Sequence, residues 1–179
     1  VTRRFYREIA NWYFWALKHT DVVYPPDIQK VAGGSEKGRE LRSIFHIRLL
    51  TRLIFCWFLR EKGLVPTDLF RRERVKALLE TAEDDADTYY RAILQNLFFA
   101  TLNVPRNDRK FISRSFRGQN KDYANQYVFR YDDDLSDIDA FNDLMREIPF
   151  LNGGLFECLD KKPDLENPGV ERWAGVSVP

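Results

Sequence analysis

The segment that most constrains this chain runs from Ser35 to Lys62. Ser35 stands where a helix N-cap belongs, Glu36 lies near the positive end of the helix, and Gly63 supplies a left-handed residue to stop it. The second half, "LLTRLIFCWFL" (Leu49 to Leu59), is apolar nearly all round, with Arg48, Thr51 and Arg52 as its one polar stripe. A helix with no polar face is buried on every side, so this segment predicts a central core helix with the rest of the chain packed around it. The fold class that follows is mainly α: an irregular helical bundle around a long buried central helix, with an irregular basic segment and at most a short β element.

The remaining periodicity agrees with this. In "FYREIANWYFWALKH" Phe5, Ile9, Trp12 and Ala16 recur at helical spacing, with Tyr13 and Leu17 widening the same face. A loop follows, where Pro25-Pro26 and Gly33-Gly34 forbid or loosen helix. "VPTDLF" reads as a short capped turn and "RRERVKALLETA" as a short amphipathic helix. A further helix is expected over Tyr89 to Leu102, closed by Asn103 and Pro105, with Tyr90, Ile93, Leu97 and Thr101 on one face. "YVFRY" (Tyr127 to Tyr131) fits a short strand. A last helix begins at the capping box Ser136 to Asp139, shows Phe141, Leu144, Met145 and Ile148 on its apolar side, and ends at Pro149. The domain expected is 1–158, with 159–179 as an extension or linker, and both ends read like cuts in a longer polypeptide.

Several function classes find no support. Two cysteines, Cys56 and Cys158, and two histidines, His19 and His46, cannot form a spaced zinc site or a disulfide framework. The two distant cysteines fit a reducing cytoplasm best, and the longest apolar run, Leu53 to Leu59, is far shorter than the ~20 residues that cross a bilayer, which predicts a soluble protein without a membrane partner. No G-x-S-x-G elbow is present, Cys56 sits among Phe55 and Trp57 as a small hydrophobe, and no catalytic residue is assigned. Asp132, Asp133, Asp134, Asp137, Asp139 and Asp143 invite a metal reading. Against the calcium-loop pattern they fail, because Asp137 stands where glycine is required and Asp143 where a bidentate glutamate belongs. Carboxylates beside a helix N-terminus account for them better, and no metal is expected.

A net charge of +1 hides a local excess. Between Val104 and Arg130 stand Arg106, Arg109, Lys110, Arg114, Arg117, Lys121 and Arg130 against only Asp108 and Asp122, with Phe111, Phe116, Tyr123 and Tyr127 interleaved. That composition suits a loop lying on a nucleic-acid backbone, where cations displace counterions and rings meet bases. It suits equally a solvated loop whose aromatics face the core. The seven cations are the candidates for backbone contact with double-stranded DNA.

"IPFLNGGLFE" (Ile148 to Glu157) is the other feature to explain. Pro149 stops a helix, Asn152, Gly153 and Gly154 permit positive φ and a sharp reversal, and Phe150, Leu151, Leu155 and Phe156 offer apolar anchors on both sides. Four anchors favour a packed interdomain elbow over an anion nest, which would need its amides at a helix N-terminus with basic neighbours.

Taken in order, "LLTRLIFCWFLREKGLVPTDLF", "YYRAILQNLFFATLN" and "IPFLNGGLFE" resemble the helical region of large bacterial adenine-specific DNA methyltransferases, including the fused type IIG restriction-modification enzymes. The resemblance runs from about Phe5 to Glu157. It implies a helical connector that joins and orients catalytic domains, with a methyltransferase domain in the same chain as its partner and S-adenosylmethionine as the cofactor of the parent enzyme, none being held by this region. The family's S-adenosylmethionine loop and its [Asn/Asp]-Pro-Pro-[Tyr/Phe] motif are absent here, and Tyr24-Pro25-Pro26-Asp27 has the wrong order. The residues leave two alternatives open: a freestanding helical nucleic-acid-binding module, and a purely structural interaction domain.

Overall fold

The structure is a computed structural model and describes residues 2–20, 22, 36–80, 88–112, 127–151 and 153–156, together with the backbone of 161–163 and 171–173. It is mainly α. The chain divides into two compact units, one formed by Val1–Ile54 and Leu159–Pro179, the other by Phe55–Cys158.

In the first unit, helix α1 (Thr2–His19) accompanies the opening part of helix α2 (Glu36–Glu61). Polar clips join the two helices. Tyr13 and Ser43 share a hydroxyl–hydroxyl bond. Thr20, just past the end of α1, bonds the Nε2 of His46 at 2.7 Å, and its carbonyl accepts from Arg42 at 3.3 Å. The imidazole donates from Nδ1 to the Arg42 carbonyl at 2.7 Å, which fixes the ring on its own helix. In the same unit Lys161–Pro163 (β1) and Glu171–Trp173 (β2) pair antiparallel, with Lys162 opposite Arg172.

The stop of α2 follows the sequence closely. Gly63 has φ +70°, its N–H bonds the Arg60 carbonyl at 2.9 Å, and the Leu64 N–H reaches back to Leu59 at 2.9 Å. These are the two bonds of a Schellman cap, which needs the left-handed residue that glycine supplies without strain. Ser35, the expected N-cap, lies outside the described residues.

The role expected of α2 is corrected by the structure. Ile47, Ile54, Phe55, Trp57 and Phe58 are all exposed, Trp57 at 54%, while the expected polar stripe is partly turned inward, with Arg52 only 4% exposed. The helix that is buried on every side is instead Tyr89–Thr101, where every residue from Ala92 to Thr101 is buried. It is wound with i→i+5 bonds as a π-helix, and Leu102 N–H continues the pattern onto the Leu97 carbonyl at 2.9 Å. Wide winding of this kind is rare and unfavourable alone, so the enclosing core must hold it.

That core belongs to the second unit. Phe98 stacks near Phe156 at 6.0 Å between ring centres, and Phe111, Phe129 and Phe141 form a triangle of 5.3, 5.3 and 5.9 Å. Around it run a 3₁₀ turn (Thr67–Phe70), helix α3 (Arg72–Leu78) and helix α4 (Ile138–Glu147). The strand expected over 127–131 contracts to a single parallel bridge, Phe111 with Phe129, and a second bridge joins Leu79 to Leu135. The cap of α4 sits one residue later than expected. Asp137 accepts from the Ala140 N–H at 2.9 Å, while the Ser136 hydroxyl donates to the Ala77 carbonyl at 2.8 Å and so ties α4 to α3.

Candidate nucleic-acid interface

Where the basic segment meets the second unit, its arginines act on the protein itself. Arg109 donates Nε to the Val104 carbonyl at 3.0 Å, Nη1 to Met145 at 2.7 Å and Nη2 to Thr101 at 2.8 Å. Thr101 and Met145 lie in the last turns of the π-helix and of α4, where carbonyls lack intrahelical donors and a cation is favoured by the dipole. One planar fork thus closes two helix ends at once. Burial, and then the neighbouring Arg106, pull the Arg109 guanidinium down from its ordinary value. Arg106 itself donates to the carbonyls of Glu147 at 2.6 Å and Ile148 at 3.3 Å, completing the same terminus of α4.

Arg130 goes deeper. At 2% exposure it lies in the core, its Nη2 bonded to the Gln95 side-chain oxygen at 2.5 Å and its guanidinium 5.1 Å from the Tyr131 ring centre. Its backbone is read by Asn96, which donates to the Arg130 carbonyl at 2.8 Å and accepts the Arg130 N–H at 3.0 Å. The amide of Asn96 behaves like one residue of a β-ladder, pairing a strand too short to pair fully with another. Arg109 and Arg130, expected on a DNA-facing loop, are therefore corrected to structural cations. Arg109 already gives three N–H groups to protein carbonyls, and the Arg130 guanidinium, 2% exposed, cannot touch a phosphate. Lys110 is exposed, and Arg114, Arg117 and Lys121 lie outside the described residues.

Gln95 and Asn96 are the residues that sequence reasoning missed. Their signal was present: two adjacent amides inside an otherwise apolar helix, which a buried core tolerates only if partners await them. Tyr131 was missed as well. It takes a left-handed φ of 62° with Arg91 at 5.8 Å on one contact and Arg130 on another, and it turns the chain into the 3₁₀ turn Asp132–Asp134. Asp134 pairs with Arg91 at 3.5 Å. The acidic cluster thus serves a turn, a cap and an ion pair, and among the described residues no three His, Cys, Asp or Glu side chains converge as a metal site requires.

Of the four apolar anchors expected in this reversal only Phe156 is buried; Leu151 and Leu155 are half-buried, and Phe150 is corrected to an exposed residue, at 39%. Leu151 N–H bonds the Leu102 carbonyl at 2.8 Å, Gly153 N–H bonds Leu151 at 2.8 Å, and Phe156 N–H bonds Gly153 at 3.2 Å. Phe156 is buried between Phe98 and Phe55. Gly153 and Gly154 do not take positive φ, and a Cβ added to either meets open space. Anchoring by Leu151 and Phe156 holds this reversal; glycine freedom does not. Pro149 follows Ile148, the last fully buried residue of α4's exit, and Asn152 lies outside the described residues.

With this geometry established, comparison with known proteins adds one finding. Over 117 residues, 63% of this chain, the sequence is 34% identical to a predicted type II restriction enzyme and methyltransferase of Methanocaldococcus jannaschii. The matched stretch is only 7% of that protein's length. No known family profile matches the chain, and no solved structure does. The similarity connects this chain to restriction-modification proteins. No described helix is long and apolar enough to cross a membrane.

Proposed function

We propose that this chain is the helical, non-catalytic region of an adenine-specific restriction-modification methyltransferase of the fused type IIG kind. In this reading it joins and orients the catalytic domains, with a methyltransferase domain of the same polypeptide as its partner. The observation that supports this most is the match to a 7% portion of a much longer restriction and methylation protein. A segment of that proportion, built from packed helices closed by arginines, suits a connector. S-adenosylmethionine belongs to the parent enzyme's chemistry and not to this region.

Duplex DNA contact forms the finer part of the proposal. With Arg109 and Arg130 engaged internally and Arg106 on the end of α4, the cations left for phosphates are Lys110, Arg114, Arg117 and Lys121. Each phosphate neutralised on B-DNA contributes about 0.9 to the slope of log K against log salt. Four contacts therefore set a ceiling of about 3.6 on that slope. Changing these four to glutamine should weaken duplex binding uniformly across sequences and flatten the slope by that amount. An unchanged slope rejects the contact.

The connector itself is tested on the native gene product, through its length and its transfer of labelled methyl groups from S-adenosylmethionine to adenine in duplex DNA. A native product that lacks a methyltransferase domain overturns the connector and leaves the freestanding binding module.

A further inference from the structure

Helix α1 buries a single residue, Ala16. What it turns outward is mixed in a way that neither solvent nor an apolar partner explains. At 3.6 residues per turn, Arg3, Arg7, Phe14 and Lys18 follow one line along the helix (i, i+4, i+11, i+15), with Arg4, Asn11 and Trp15 beside it. All seven are exposed, Phe14 at 66% and Trp15 at 55%, and Ala16 lies on the opposite side. Glu8 is the helix's single acid and is held by Arg4 at 2.8 Å. Arg3, Arg7 and Lys18 have no ion-pair partner among the described residues.

Three ordinary explanations fail on this face. Solvent gives no reason to display two large rings. Docking against an apolar surface would strip water from three cations, which costs several kcal/mol for each ion without a matching acid, and the helix supplies none. A helix lying on a membrane separates its rings from its cations, whereas here Phe14 stands in the row of Arg3, Arg7 and Lys18. An unpaired nucleic-acid strand satisfies both kinds of group, offering phosphates at regular intervals and bases with two free faces.

We infer that the outward face of α1 binds single-stranded nucleic acid, with phosphates on Arg3, Arg7 and Lys18 and bases stacked on Phe14 and on the side of Trp15 away from His19, whose imidazole stacks on the indole at 5.3 Å between ring centres. From Arg3 to Lys18 the helix rises about 22 Å, the length of roughly six phosphates along one strand. The inference uses α1 alone and stands whether or not the connector reading holds.

The test is a fluorescence-anisotropy titration of the whole chain with a short labelled oligothymidylate, with the matching duplex and with anionic vesicles, each at several salt concentrations. Two variants of exposed side chains accompany it, Arg3→Gln/Arg7→Gln/Lys18→Gln and Phe14→Ala/Trp15→Ala, both checked for unchanged helicity. The charge variant should lower the single-strand salt slope by about 2, at roughly 0.7 per contact. The aromatic variant should bind at least about tenfold more weakly with little change in slope, as expected on removing stacking platforms. Quenching of Trp15 by the strand, isolated by difference with Trp15→Phe, answers the same question without the alanine variant. A variant of Lys110, Arg114, Arg117 and Lys121 should lose duplex binding yet keep the single strand, which separates this inference from the loop contact. No binding at low salt, equal binding by the charge variant, or binding to vesicles alone overturns it.

Discussion

Replacing Arg109 with alanine asks directly whether a cation read from sequence as a DNA contact is a structural one. The side chain makes three charge-assisted bonds, at 3.0, 2.7 and 2.8 Å, to carbonyls of Val104, Met145 and Thr101. Bonds to a charged group contribute about 1.5–3 kcal/mol each when isolated. Three of them do not add here, because the group is part-exposed and water can replace some of what is lost. Two of the carbonyls also keep a long backbone bond, Thr101 from Val104 at 3.3 Å and Met145 from Ile148 at 3.4 Å. A net loss of about 3 kcal/mol is therefore expected. With a urea slope near 2 kcal/mol/M, the midpoint should fall by about 1.5 M. Arg109→Lys should lose about half as much, since one ammonium keeps the charge but cannot present a planar fork to three carbonyls. Lys110→Gln, one residue away, should leave the midpoint in place and reduce the DNA salt slope by about 0.9. The reverse pattern, a stable Arg109→Ala with a flattened slope, would refute the reasoning and return Arg109 to the phosphate.

The remaining predictions concern the elbow and two buried titratable groups. Phe156→Ala should cost about 3–5 kcal/mol in urea unfolding, while valine at Gly153 or Gly154 should cost less than about 0.5 kcal/mol; valine losses as large as the alanine loss would restore control to the glycines. His46 is held below its ordinary value of 6.5, chiefly by burial, so its contribution to stability is present above that value and is lost as pH falls through the depressed one. Following the imidazole signal by NMR checks this, and titration at or above 6.5 contradicts it. Burial, and secondarily Cys56, push the Tyr89 phenol up from 10.0 to about 12, while the hydroxyl donates to the Leu69 carbonyl at 2.9 Å. A raised folded value stabilises fully below pH 10.0 and is lost as pH climbs toward about 12. Ultraviolet titration should therefore show a late phenolate that disappears in Tyr89→Phe.

Local chemistry was legible in the sequence wherever one residue decides one bond. Gly63 announced the end of α2 because few other residues accept φ +70° there. The mainly helical class followed from apolar spacing alone. Burial of a whole helix was harder to read, because hydrophobicity gives the capacity for burial and not the partner. "LLTRLIFCWFL" and "YYRAILQNLFFAT" both read as core, yet the first leaves Trp57 and Phe58 exposed and the second takes the centre. The deciding difference lies in Gln95 and Asn96, whose amides find Arg130 across 35 and 34 residues of chain. No window of helical length sees that pairing. The reversal at 148–157 shows the same limit: the four apolar residues looked alike in sequence, yet Phe156 is buried while Phe150 stays exposed, and Gly153 and Gly154 take no positive φ.

Arginine is ambiguous for a physical reason that reaches both proposed interfaces. A terminal helix carbonyl and a phosphate oxygen ask the same thing of a guanidinium, two or three donors in one plane. A cluster of arginines among helix ends therefore has the composition of a nucleic-acid loop whether or not it meets nucleic acid. What separates the two uses is competition: a fork with Nε, Nη1 and Nη2 each closed on a carbonyl of Val104, Met145 or Thr101 must give up those bonds to grip a phosphate with the same donors, whereas Lys110 and the α1 cations Arg3, Arg7 and Lys18 remain in water. Counterion release counts only the second kind. Measured slopes thus count the cations that reach phosphate: about 3.6 if Lys110, Arg114, Arg117 and Lys121 all do so on duplex, and about 2 for the three cations of α1 on a single strand. A duplex slope well above about 3.6 would mean that cations beyond these four reach phosphate; loosening of the helix ends on binding would then single out Arg106 or Arg109, and its absence would point to Arg3, Arg7 and Lys18 of α1.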